Sequence, residues 1–216
     1  MLGKKVLITG GHTQIPIDKV RAITNIFKGK TACDIANFFI KDCDITLLGN
    51  PLMKNLVTPK CKFVPYTTYD DLYSEMHKHI MLNKYDVIIH SAAVSDYYVS
   101  GVLTAPGGEK LDSSSKISSS YDKLYLELSQ TRKIVDDIRP LWGFEGYLVK
   151  FKLQVGISDS DLLKIARASR VASKADMIVA NCLETAKQKA FIVTNDSELE
   201  VIRNNLPTVL YSEIWK

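Results

Sequence analysis

The sequence contains no block of five or more like charges and no apolar run long enough to span a membrane. The first absence argues against an arm for nucleic acid, and the second against an integral membrane protein. Cysteine is scarce: Cys33, Cys43, Cys61 and Cys182 have no CxxC spacing and no nearby His pair. That pattern excludes a zinc site and a disulfide framework, and leaves scattered buried thiols in a cytoplasmic protein as the expectation. The opening MLGKKVLITG runs straight into a strand pattern, so no signal peptide is expected.

What is present is ordinary globular material. Apolar residues make up 46% and charged residues 24%, which removes the disordered and fibrous classes. A net charge of +4 suits an anionic small molecule without requiring one. At 216 residues the chain suits one domain covering 1–216.

Apolar runs alternate with helical patterns, as in an α/β sheet. Strands are predicted at 5–9, 44–48, 61–64, 86–90, 124–128, 147–155, 177–180 and 190–194. Ala32, Ile35, Ala36, Phe39 and Ile40 share one face of a helix starting near Gly29. Asp70 and Asp71 suit the first turn of a second helix, reaching about Leu82. A short helix is expected at 131–139, stopped by Pro140. Another follows Ser158 as N-cap, with Asp161 three residues on. Residues 97–120, with Gly101, Pro106, Gly107, Gly108 and SSSKISSS, read as one long loop, either functional or mobile.

Several residues have chemical potential. Gly10-Gly11-His12-Thr13 follows the first strand and serves either a β-turn or a phosphate cradle; it is neither GxGxxG nor a P-loop. Asn25 could orient a carbonyl or oxyanion, and Gly29-Lys30 at a helix start could hold an anion or simply cap the helix. Lys116, alone among serines, is either solvated or a point charge for a triphosphate. Lys150 and Lys152 share one face of a strand and could meet an anion. In DVIIHSAAVSDYYV, Ala92 and Ala93 end a buried strand beside Asp96. That carboxylate suits a magnesium ion, a ribose hydroxyl or a cap.

Taken together, KVLITGGHTQIPIDKVRAITN, DVIIHSAAVSDY, SSKISSSYDKLYLEL, FKLQVG and ASKADMIVAN resemble the phosphopantothenoylcysteine synthetase family over nearly all of residues 4–196. The resemblance implies a Rossmann-like, three-layer, open, mostly parallel sheet with helices on both faces and a long flexible flap. It also implies the stand-alone form, with no flavin-dependent decarboxylase domain ahead of it. The implied activity joins 4'-phosphopantothenate to L-cysteine in coenzyme A biosynthesis, through an acyl-nucleotidylate made with CTP or ATP and Mg²⁺. A homodimer is implied, with each site built across the interface.

By the same resemblance, Gly10, Gly11 and Thr13 form the nucleotide-phosphate cradle, and Asn25 contacts the acyl carbonyl. Ala92 and Ala93 leave room for substrate, and Asp96 belongs to the nucleotide and metal region. Lys116 reaches the triphosphate from the flap, Phe151 and Lys152 form the nucleotide-side FK pair, and Asn181 ends ADMIVAN. Lys28 and Gly29 complete the substrate side.

The chain departs from the family pattern at NIFKG, where Phe27 and Lys28 replace two hydroxyl residues, at His12 in place of glycine, and at Ile15 in place of an acid. It also ends at YSEIWK, where relatives continue into a closing helix. These departures keep a second reading in play, a weakened relative that binds nucleotide or phosphopantothenate without turnover. A third, a short-chain NAD(P)-dependent oxidoreductase, lacks YxxxK and an acid after Leu48-Gly49-Asn50.

Overall fold

The computed structural model describes residues 3–216. Met1 and Leu2, the start of the expected 1–216 domain and of the opening read against a signal peptide, lie outside the described residues.

Strand β1 (Lys4–Thr9) leads to a short hairpin, β2 (Gln14–Pro16) and β3 (Ala22–Thr24), then to helix α1 (Lys30–Phe39). Strands β4 (Cys43–Gly49) and β5 (Lys62–Pro65) flank a 3-10 helix at Pro51–Leu56. Helix α2 (Tyr69–Leu82) precedes β6 (Val87–His90), and a second hairpin pairs β7 (Tyr97–Leu103) with β8 (Tyr125–Gln130). Next come β9 (Tyr147–Gln154), α3 (Asp159–Ala172), β10 (Met177–Cys182), β11 (Lys189–Val193), β12 (Glu198–Ile202) and α4 (Leu206–Ile214).

One eight-stranded sheet runs in the order β12-β11-β10-β9-β6-β1-β4-β5. Strands β10 through β5 are parallel, while β11 and β12 turn the near edge antiparallel. Residues 6–8 of β1, 87–89 of β6 and 177–180 of β10 are continuous apolar runs because both faces are covered. On one face, Ile35, Ala36 and Phe39 of α1 and Leu206 and Leu210 of α4 pack on Val6, Ile8, Val87 and Val179. On the other, Leu72 and Met76 of α2 meet Leu7 and Ile88, and Leu162 and Ala166 of α3 meet Ile178 and Ala180. The expected three-layer α/β architecture is therefore present.

Helix starts follow the local chemistry. Thr68 and Asp71 form a reciprocal capping box on α2, and Ser158 accepts the Asp161 N–H at the head of α3. All four cysteines are buried free thiols. No helix among the described residues is long and apolar enough to cross a membrane.

Two expectations need correction. Residues 97–103, read as part of a long loop, form β7. A register shift between Val99 and Gly101 lets that strand pair with β8 despite its irregular pattern. The helix expected at 131–139 reduces to one 3-10 turn at Ile134–Asp136. Arg139 there turns aside to the carbonyls of Lys174 and Phe144 and the carboxylate of Asp176, so the segment spends its bonds on tertiary partners. The terminal stretch forms α4, whose Tyr211 ring packs edge-on against Phe39 of α1.

Candidate functional site

In an open parallel sheet the crevice beyond the carboxyl ends of the strands receives ligands. Here the turn after β1 sits against the first turn of α1. A Cβ on Gly10 would lie 2.2 Å from Ala32 Cβ, and one on Gly29 would lie 2.7 Å from the Gly11 amide nitrogen. Gly11 (φ +86°) and Gly29 (φ +76°) both adopt left-handed backbone. Glycine at these positions is what allows the two segments to meet.

Two side chains that sequence reading missed lock this turn. The carboxamide of Asn50 accepts the His12 N–H at 2.7 Å and donates to the His12 carbonyl at 2.8 Å. The Tyr66 hydroxyl donates to the Gly10 carbonyl at 2.7 Å, and burial pushes its pKa above the usual phenol range so that it stays protonated. Asn50 follows β4 directly, but nothing local marks it as a partner of a residue 38 positions away.

α1 has no side-chain cap and no acidic residue in its first turn. Its leading N–H groups are therefore free to face an anion. The guanidinium of Arg203, between β12 and α4, donates to the Thr31 hydroxyl in that same turn. Sequence reading also missed this residue, because its partner lies 172 positions earlier.

The strand end after β6 joins the turn from the other side. Ala93 N–H donates to the Gly11 carbonyl at 2.8 Å, and the Ala93 carbonyl accepts from Thr13 N–H at 3.3 Å. The Asn25 side-chain amide donates to the same Ala93 carbonyl at 3.1 Å. The structure thus brings together Gly10, Gly11, Thr13, Asn25, Gly29, Ala92 and Ala93. Thr13 is wholly buried, and its hydroxyl accepts the Ser95 N–H at 2.9 Å, bracing the turn that carries Asp96.

Asp96 is exposed, and its carboxylate makes no hydrogen bond or ion pair among the described residues; its backbone carbonyl accepts Thr131 N–H at 2.9 Å. Among the described residues no group of three or more His, Cys, Asp or Glu side chains could hold a metal ion. A single free carboxylate fits magnesium carried in by a nucleotide, since that ion is commonly held by one or two carboxylates plus phosphates and water.

On β9 and β10 the alternation divides the remaining residues. Phe151 packs into the core on the α1 face, whereas Lys150 and Lys152 project from the opposite face. Asn181 is 8% exposed, and its side-chain oxygen has no partner. A buried, unmatched acceptor at a strand's end has room for a ligand donor. Lys150 is half-buried and shifted down by desolvation; beside it, burial and Lys150 push His90 down to about 4. His90 Nδ1 lies 2.9 Å from the Thr9 hydroxyl. Lys28 and Lys116 are exposed, and no hydrogen bond or ion pair among the described residues ties either to the turn.

A family model described as DNA/pantothenate metabolism flavoprotein C-terminal domain matches residues 1–210. The chain belongs to this family. The coenzyme A biosynthesis bifunctional protein CoaBC of Thermococcus kodakarensis is 32% identical over 184 residues, 84% of this chain and 42% of that protein. Phosphopantothenate–cysteine ligase 1 of rice is 36% identical over 115 residues, 52% of this chain and 32% of that protein. Within the family, the structure of the DNA/pantothenate metabolism flavoprotein from Streptococcus pneumoniae superposes with a TM-score of 0.85 at 28% identity, covering 98% of each chain. The chain spans less than half the length of the CoaBC relatives from Thermococcus kodakarensis and Methanocaldococcus jannaschii, at 42% and 41%.

Proposed function

We propose that the chain joins 4'-phosphopantothenate to L-cysteine, the reaction that the name phosphopantothenate–cysteine ligase describes, and that it uses CTP or ATP with Mg²⁺ to do so. The observation that carries the reading is the uncapped first turn of α1, set against the Gly10-Gly11 turn with Asn25 alongside. An N-terminus without a carboxylate suits a phosphate group, and the glycines let it approach the backbone.

In this reading the phosphopantothenate carboxylate attacks the α-phosphorus, and the bond to the bridging oxygen breaks to release pyrophosphate. The cysteine amine then attacks the acyl carbon, the acyl–oxygen bond breaks, and nucleoside monophosphate leaves as the amide forms. Magnesium supplies neutralisation of phosphate charge when bound. The chain's own work is alignment: α1 and Lys116 hold phosphates, and Asn25 directs its amide toward the acyl oxygen. Asn181 offers its unmatched oxygen to a donor on the substrate, and Asp96 takes the metal. Lys28 lies on the substrate side with Gly29, and Phe151 and Lys152 on the nucleotide side.

A homodimer belongs to the proposal. Ile26 is 79% exposed and Val20 66%, and Tyr97, Tyr98 and Leu128 are exposed on the adjoining β7–β8 hairpin. Exposed apolar side chains of this kind suit a second copy.

The test is pyrophosphate release with each nucleotide, with and without phosphopantothenate and cysteine. Release that requires phosphopantothenate supports the ligase. A second reading rests on Phe27, which cannot replace a hydroxyl donor. Calorimetric binding of nucleotide or phosphopantothenate with no product from either nucleotide would establish that reading instead.

A further inference from the structure

Asp18 is a carboxylate whose side chain is wholly shielded from solvent, in the turn between β2 and β3. One oxygen accepts the N–H groups of Val20 and Arg21, each at 2.8 Å. The other accepts Arg21 Nε at 2.9 Å and the Ile117 N–H at 3.1 Å, and Arg21 Nη2 also donates to it. The same Arg21 Nη2 donates to the Ile117 carbonyl at 2.9 Å. Both backbone groups of one residue, 99 positions away, are therefore held by one Asp–Arg pair. The Ile117 side chain is 4% exposed, so it is anchored by packing as well.

The other end of the segment is also tied. Leu111 N–H donates to the Val102 carbonyl at 2.8 Å, and Lys110 Nζ lies 2.8 Å from the Glu127 carboxylate. What stays unattached between these anchors is the short run Asp112–Lys116, and Lys116 adjoins the fixed Ile117. The sequence pattern called for a long free flap; the bonds leave a short one, with the lysine beside its fixed root.

We propose that Asp18 and Arg21 are positioning residues for the ligation: by clasping the Ile117 peptide groups they fix where Lys116 can reach. A lysine on an untethered loop would spread its charge over many positions and lose alignment with a phosphate. The clasp restricts that search while leaving the side chain free to move. The functional half of this inference rests on the reading that Lys116 meets the triphosphate; the clasp itself does not.

The experiment therefore has two readouts on the 216-residue chain. Trypsin cleavage of the Lys116–Ile117 bond, followed by mass spectrometry, reads the clasp alone. Asp18→Asn is expected to speed that cleavage about tenfold or more, since charge-assisted bonds are lost. Arg21→Lys keeps the charge but not the fork, and is expected to speed it less. Unchanged cleavage in both variants would overturn the clasp. The second readout is a double-substitution cycle on the nucleotide KM. Asp18→Asn and Lys116→Ala should each raise that KM, and Asp18→Asn should add nothing once Lys116 is gone. Additive effects would overturn the positioning role. A Lys116→Ala enzyme with unchanged KM, together with faster cleavage in Asp18→Asn, would reject the triphosphate reading and keep the clasp. If Asp18→Asn does not fold, Arg21→Lys carries both measurements.

Discussion

The imidazole Nδ1 of His12 lies 2.7 Å from the backbone carbonyl of Phe27. These are two of the positions at which the chain departs from the family pattern, and they are bonded to each other. A glycine at 12 could not make this contact, so the histidine holds in place the segment in which Phe27 and Lys28 displaced two hydroxyl residues. The departures compensate at the level of backbone position, whatever they change in the chemistry presented to substrate.

His12→Ala should therefore cost little stability and more activity. One partly exposed hydrogen bond is worth about 1 kcal/mol, or a shift of about 2–4 °C in Tm for a chain this size. Turnover should fall about tenfold, because Asn25 sits on the freed segment. A calorimetric scan beside a pyrophosphate assay checks both, and a fall in Tm without a fall in turnover would refute the positioning argument.

Gly11→Ala should be far more damaging than Gly143→Ala. Both glycines have positive φ, at +86° and +62°. A Cβ at Gly11 would lie 2.0 Å from Asn50 Oδ1, whereas nothing lies within 4 Å at Gly143. The shared strain costs ~1–2 kcal/mol, and the clash at Gly11 adds at least ~1 kcal/mol more while breaking the Asn50 contact. Chemical denaturation of both variants measures the difference; equal losses would show that the clash relaxes freely.

Asn25→Asp should stop the reaction between its two steps. The wild-type amide donates to the Ala93 carbonyl at 3.1 Å, and an aspartate has no such donor when ionised. Pyrophosphate should appear in an amount close to that of enzyme, with little amide product, and the acyl-nucleotidylate should be recoverable for mass spectrometry. Full turnover by the variant would remove Asn25 from the proposed chemistry.

Stability should fall on mild acidification because of His90. Burial and the neighbouring Lys150 push it down to about 4 in the fold, against 6.5 for the ordinary side chain. Between those values the unfolded chain binds a proton that the folded chain refuses. Folding free energy is thus fully present above about pH 6.5 and is lost as pH falls toward about 4, at up to ~1.4 kcal/mol per unit. His90→Asn removes this titration. Its urea midpoints at about pH 7 and about pH 5 should lie closer together than those of the parent, and an equal gap would assign the acid sensitivity elsewhere.

Much of the scaffold could be read from the sequence, because buried parallel strands are apolar runs and helices bury a periodic face. Val87–His90, the α1 face and the Ser158 cap follow directly from such patterns. β7 was hidden because Gly101 interrupts its alternation at the register shift with β8. The chemically suggestive turn residues were legible as types, yet their supports were not. Asn50, Asp18 and Arg203 act on partners 38, 99 and 172 positions away, and no local pattern encodes such a pairing.

The Asn50 carboxamide binds the N–H and C=O of His12 as a neighbouring peptide group would. It works as a surrogate rung, carrying the ladder between β1 and β4 one step past the end of the strands. The turn proposed to cradle phosphate then inherits the rigidity of the sheet rather than the looseness of a surface loop. Its amides should exchange with solvent deuterium on the slow timescale of the core strands, and Asn50→Ala should release His12 to loop-like rates while β1 itself stays protected.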